Sequence, residues 1–347
     1  MLLPLALTAE RFGQRPLLVG ALLVEAYAPS LGGFATPVGT APNLIGLGLI
    51  AEATGDRPSF ARWVMVFAPL SILFTLLSAA WLRFRAGAVA GAPTAAATGE
   101  PHAASAVPAA RPWSLAERTL IPLFACVVLL WIGPGLLAAT PLGASPFLSL
   151  LRERLPEAAV PLLGALVLFA LPSGNPGPGG LRGFRSGERI LDVSVFRRLD
   201  WSTLLLFGGG LSLGGLMFES GLARWIGEAL SGLLRLEGSP LSGTFGVVFV
   251  ATLLAVLVSE ITSNTASAAL VVPVAIALGQ VSGIDPLKPA LAATVGCSFG
   301  FMLPVSTPPN ALVYGTGRLR LGDMLGNGLL LDVRGVLLVS VWGTLFG

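Results

Sequence analysis

Apolar stretches long enough to cross a bilayer recur along the whole chain, and they leave it one solvent. A membrane-spanning helix needs roughly 20 consecutive apolar residues. Candidate spans fall at 60–82, 118–139, 157–172, from Trp201 onward and at about 324–346. Only 11% of the 347 residues are charged, whereas a soluble domain carries about 25%, too little here to keep a folded surface wet. The chain therefore reads as an all-α polytopic membrane protein. Its net charge of +3 comes from Lys and Arg scattered between the apolar spans, which marks orientation in a bilayer and not a nucleic-acid surface. Cys126 and Cys297 lie inside apolar stretches and read as small buried hydrophobes. His102, the only histidine, sits in an Ala/Gly/Pro-rich loop and is assigned no role. The cluster Gly208-Gly209-Gly210 with Gly214-Gly215 lacks the Lys-Ser/Thr of a phosphate cradle, so it reads as close helix packing.

Two of the longest apolar stretches are interrupted, and the interruptions are copies of each other. Residues 33–43 (GFATPVGTAPN) and 300–310 (GFMLPVSTPPN) agree at seven of eleven positions without a gap. Prolines 37 and 42 in one copy, and 304, 308 and 309 in the other, forbid a continuous helix. Pro42, Asn43, Pro309 and Asn310 are the structural residues of two broken helices, the second spanning 288–316. An odd number of crossings separates the copies, so they run in opposite directions, the inverted-repeat pattern of secondary transporters.

The apolar stretch 243–280 is also interrupted, at Ser259-Glu260-Ile261-Thr262-Ser263-Asn264-Thr265. Grouping residues 9–15, 83–118, 173–200 and 317–323 on one side gathers 13 of the 21 Lys and Arg there, which makes that side cytoplasmic. The grouping places loops 83–118 and 173–200 in the cytoplasm and the C-terminus outside. It also requires 243–280 to enter and leave on one side, as a re-entrant hairpin with Ser263-Asn264-Thr265 at its tip. Organisation follows: 1–84 is the remainder of a first inverted repeat, 85–117 a mobile cytoplasmic loop, and 118–347 the second repeat. Met1-Leu2-Leu3-Pro4 lacks the features of a signal peptide. It corresponds instead to the helix after the second hairpin tip, so the first repeat is expected to be incomplete, lacking its own tip.

A tip within the membrane persists only if it lines a polar cavity. Ser263, Asn264 and Thr265 supply neutral oxygens suited to Na⁺, and the helix restarting after Thr265 points its positive end at the tip. Thr307 and Pro308 open a second break facing it. Neither tip contains Lys or Arg, so a bound anion would be neutralised by cations and dipoles, which couples the two. Glu260 is either a functional intramembrane acid or a residue of the hairpin's wet mouth. Asp332 and Arg334, inside the last span, either pair with each other or mark a cytoplasmic shift of that span. No nucleophile–base pair and no metal cluster stands out, so no enzyme, no transition metal and no cofactor is expected beyond Na⁺ as a coupling ion.

Ser263-Asn264-Thr265, the breaks at Gly39–Asn43 and Ser306–Asn310, and the run from Leu204 to Gly214 together resemble the divalent anion:sodium symporter family, which includes sodium-dependent dicarboxylate, citrate and sulfate transporters. The resemblance covers nearly the whole chain. It implies a homodimer of inverted repeats in the full-length protein, each protomer with a scaffold part and a transport part moving like an elevator. It implies a sodium site of Ser259, Thr262 and Asn264 with the Ser306 carbonyl, and another using the Gly39 carbonyl. It places substrate contacts at Asn264, Thr265, Thr307, Pro308 and Thr40. The function expected is sodium-coupled uptake of a succinate- or malate-like anion across the inner membrane. The alternatives are a truncated non-transporting fragment, or a sulfate/anion exchanger of the same family.

Overall fold

The computed structural model describes residues 15–56, 58–87, 115–138, 140–141, 145–172, 189–234 and 243–346. The first hairpin remnant at 1–8, most of the 85–117 loop with His102, and much of 173–200 lie outside the described residues. What is described is helical, apart from turns and one isolated bridge between Pro172 and Arg189. Among the described residues, six helices are long and apolar enough to cross a membrane, which makes the chain a polytopic membrane protein.

Two compact units form. The first gathers the described residues of Met1–Pro58, Arg62–Ala92 and Trp201–Gly347. Its elements are α1 (Arg15–Gly33), α2 (Ala41–Thr54) and most of α3 (Phe60–Gly87) from the first part of the chain. The second unit gathers the described residues of Ser59–Ala61 and Pro93–Asp200, with α4 (Leu115–Ala138), α5 (Pro146–Arg154), α6 (Ala159–Ala170) and α7 (Val195–Arg198). There Glu157 accepts the Phe60 amide at 2.9 Å, Trp131 donates its Nε1–H to the Glu157 carbonyl, and Phe60 stacks on Trp131. The later part of the chain returns to the first unit as α8 (Trp201–Glu219), α9 (Leu222–Leu233), α10 (Thr244–Ile261), α11 (Asn264–Val281), α12 (Leu287–Gly296), α13 (Pro308–Tyr314) and α14 (Leu321–Phe346).

Three expectations change. The span at 157–172 is a helix of only 12 residues, rising about 18 Å against a hydrocarbon core of about 30 Å. Helix α9 is absent from the sequence reading because it is too short and too polar to look like a span. Gly221, at φ 72°, turns the chain into it. Its buried positions Ala223, Gly227 and Ser231 recur at helical spacing, with Gly227 against the α11 backbone at Ala277–Leu278, while Arg224 and Glu228 pair on the outside. Cys297 is buried as expected, but Cys126 is exposed on α4. An apolar helix in lipid can be apolar on every face, so composition does not reveal which face is covered.

Between lipid-bathed helices the hydrophobic effect contributes little, and close packing through small residues takes its place. The glycines of α8 do this. Gly210 packs against Ala269, Gly214 against Leu49 and Gly215 against Glu52, while Gly208 and Gly209 face open space. Gly46 of α2 sits directly on Thr294 of α12. An aromatic cluster of Tyr27, Phe34, Phe74, Phe299 and Phe301 fills the centre of this unit, fully buried, with edge-to-face contacts at 5.2–6.4 Å.

Candidate functional site

The two interruptions are the same local structure built twice. Helix α1 ends at Gly33 and α2 begins after Thr40, whose backbone sits at φ −138°, ψ 151°. Helix α12 ends at Gly296 and α13 begins after Thr307, at φ −140°, ψ 149°. Prolines stand in the first turns of α2 and α13, where their missing N–H costs nothing. The unwound carbonyls are held by an asparagine in each copy. Asn43 donates to the carbonyls of Gly33 and Thr36, and Asn310 to those of Gly300 and Leu303, in both cases ten and seven residues back. Both side chains are at most 1% exposed, and in both Oδ1 has no hydrogen-bond partner.

The copies meet, and they run antiparallel. The hydroxyls of Thr40 and Ser298 lie 3.0 Å apart, and further along Gly46 faces Thr294. Helix α1 packs against α13 while α2 packs against α12, as antiparallel neighbours do.

Helices α10 and α11 form the hairpin, joined by Thr262 and Ser263. Each arm has 18 residues and is by length able to span. Ser263 caps α11 by accepting the Ala266 amide at 3.2 Å. The hairpin is fastened to the second break at three points. Ser259 Oγ lies 2.8 Å from Asn264 Oδ1 and 2.8 Å from the Cys297 carbonyl oxygen. Asn264 Nδ2 donates to the Ser298 carbonyl at 3.4 Å. Glu260 accepts the amides of Met302 and Leu303 at 2.8 and 3.2 Å and the Ser306 hydroxyl at 2.9 Å.

Glu260 is thus not in a wet mouth. It is 3% exposed and satisfies the unwound amides of the break, a long-range role that local sequence does not announce. Ser306 is engaged through its hydroxyl, and the carbonyl within reach of Ser259 is that of Cys297. In the sequence Cys297 reads only as a small buried hydrophobe and Ser298 carries no signal, because both precede the repeated motif and look like ordinary helix residues. Thr262 donates back to the Val258 carbonyl of its own helix. Thr307 caps α13 through the Asn310 amide. Thr265 and Thr40 are half-buried, and Pro308 is exposed. Gly39 has no room for a side chain, since a Cβ would collide with the Gly33 carbonyl. Asp332 and Arg334 do not pair. Arg334 sits over the Trp81 ring at 4.6 Å, while Asp332 points inward to a position 4% exposed.

The oxygens around Ser259 suit a cation. A hydroxyl carries one proton, so only one of its two 2.8 Å contacts is a full hydrogen bond, and the second oxygen pair is held close without one. A cation among Ser259 Oγ, Asn264 Oδ1 and the Cys297 carbonyl would relieve that crowding with neutral ligands, as unwound carbonyls do in secondary transporters.

Broken antiparallel helices gathered on a hairpin tip are the architecture in which secondary transporters build their sites. Residues 9–347 match the family described as the sodium:sulfate symporter transmembrane region, and the chain belongs to that family. It is 30% identical over 319 residues to a sodium-dependent dicarboxylate transporter, SdcS, of Staphylococcus saprophyticus, covering 92% of this chain and 57% of that protein. It is 29% identical over 318 residues to an SdcS of Staphylococcus aureus strain bovine RF122, covering 92% and 56%. The chain therefore spans a little over half the length of these relatives.

Proposed function

We propose that the protein carries a dicarboxylate-type anion across the inner (cytoplasmic) membrane, driven by sodium and by an elevator-like displacement of the site. The observation that carries this reading is the crowded oxygen cluster of Ser259, Asn264 and Cys297 where the hairpin tip meets the second break. Sodium binds there and, in the first copy, beside the Gly39 carbonyl; Thr262, Ser263 and Ser306 complete the surroundings of the second site. Asn264, Thr265, Thr40, Thr307 and Pro308 face the anion, whose charge the bound cations offset. The hairpin 243–280 is re-entrant, and the full-length protein is a homodimer. The names of the relatives support sodium and a dicarboxylate as the pair transported.

Uptake of radiolabelled succinate into proteoliposomes, with and without an inward sodium gradient, tests the proposal. Ser259→Ala removes one cation ligand and is expected to raise the sodium concentration for half-maximal uptake by about tenfold, the equivalent of about 1.4 kcal/mol. Uptake indifferent to sodium overturns the coupling, and sulfate competing better than succinate moves the reading to an anion carrier of different substrate.

A further inference from the structure

Next to the oxygens around Ser259 lies a second buried hydroxyl. Ser267 stands three residues past Asn264 on α11. Its Oγ is 3.2 Å from the Ala255 carbonyl oxygen on α10 and 3.3 Å from Cys297 Sγ, just past the end of α12. Gly296 permits this approach, because a Cβ there would press on Ala255 and on the Thr252 backbone of α10. Ser267, Ala255 and Cys297 are all fully buried, so water does not stand in for a missing partner.

A serine hydroxyl carries one proton, and a thiol brings a proton of its own. Both are used when the groups act in series: the Cys297 thiol donates to Ser267 Oγ, and Ser267 donates to the Ala255 carbonyl. Cys297 is thereby pinned twice. Its amide donates to the Ala293 carbonyl at 2.8 Å, and its side chain is held by Ser267. A residue fixed at its amide and its side chain has little freedom to turn about its Cα. Its carbonyl, past the helix end where intrahelical partners run out, stays aimed at Ser259 Oγ, 2.8 Å away.

We propose that Ser267 and the Cys297 thiol are a positioning pair for the sodium site. They touch no ion; they set the direction of the Cys297 carbonyl that does. The inference rests on the sodium reading of the Ser259 cluster, and it adds a layer to the site that holds the ligand in place.

Binding of radioactive sodium to the purified chain in nanodiscs, followed by scintillation proximity, tests the pair. Ser267→Ala should weaken sodium binding by about three- to tenfold, the scale of one net hydrogen bond. Cys297→Ala should do the same, and the double variant should match the single variants instead of compounding them, because both remove one link. Cys297→Ser, whose hydroxyl can donate to the same oxygen, should keep wild-type affinity. Thermal midpoints in sodium-free choline buffer provide the contrast with mere packing. A lowered midpoint with unchanged sodium affinity in Ser267→Ala overturns the inference and leaves the sodium site standing, as do losses that multiply in the double variant. If Ser267→Ala does not fold, Cys297→Ala against Cys297→Ser carries the test, and equal affinities overturn the pair. Absence of sodium binding in the wild type overturns the sodium reading and the pair with it.

Discussion

Single side chains hold both breaks open in a shape they would otherwise lose. Asn43 and Asn310 each satisfy two carbonyls that the unwound backbone exposes, and water is not at hand to replace them. Leaving such groups unpaired costs about 1–3 kcal/mol each. Asn43→Ala and Asn310→Ala should therefore lower unfolding stability by a few kcal/mol, and by similar amounts, since the geometry is repeated. Chemical denaturation in detergent reads this; a neutral Asn310→Ala would remove the asparagine from its structural role. Glu260→Gln keeps the size of the side chain but loses the charge that strengthens three accepted bonds. It should loosen the break and raise hydrogen exchange at the Met302 and Leu303 amides, and unchanged exchange there would refute the role.

Among the elements, the broken helices depend on backbone contacts that admit no Cβ. Gly39 lies against the Gly33 carbonyl, whereas Gly32, the residue before Gly33, has nothing near its Cβ position. Overpacking of this kind costs typically 1–3 kcal/mol or more, and backbone cannot step aside as a side chain can. Gly39→Ala should sharply reduce the yield of monodisperse protein, while Gly32→Ala should leave it unchanged; equal yields would show that the break relaxes freely. The proline-rich motif was legible as a break because its chemistry is local. The fastening of the hairpin to that break was not, because it joins residues 34–46 positions apart through side chains with no spacing rule.

For the molecule as a whole, antiparallel breaks make a topological claim. With the side richer in Lys and Arg taken as cytoplasmic, Asp56 after α2 and Asp285 before α12 would lie on the outer side, and Arg320, past α13, on the cytoplasmic side. In a background without Cys126, Asp56→Cys and Asp285→Cys should react with an impermeant maleimide in intact cells, and Arg320→Cys only after permeabilisation. Labelling of all three from one side would dismantle the inverted arrangement.

Sequence alone determined that the chain lives in a membrane, where its helices break, and that the breaks are a repeated pair. Those properties are written in apolar length, proline and local motif, which act within a few turns of chain. Only tertiary structure decided that the Cys297 carbonyl meets Ser259, that Glu260 is a buried fastening, that Asp332 and Arg334 diverge, and that Cys126 is uncovered. Each of these depends on which distant backbone arrives beside a side chain. In lipid, hydropathy cannot supply that answer, because a face turned to a neighbouring helix and a face turned to the bilayer are equally apolar.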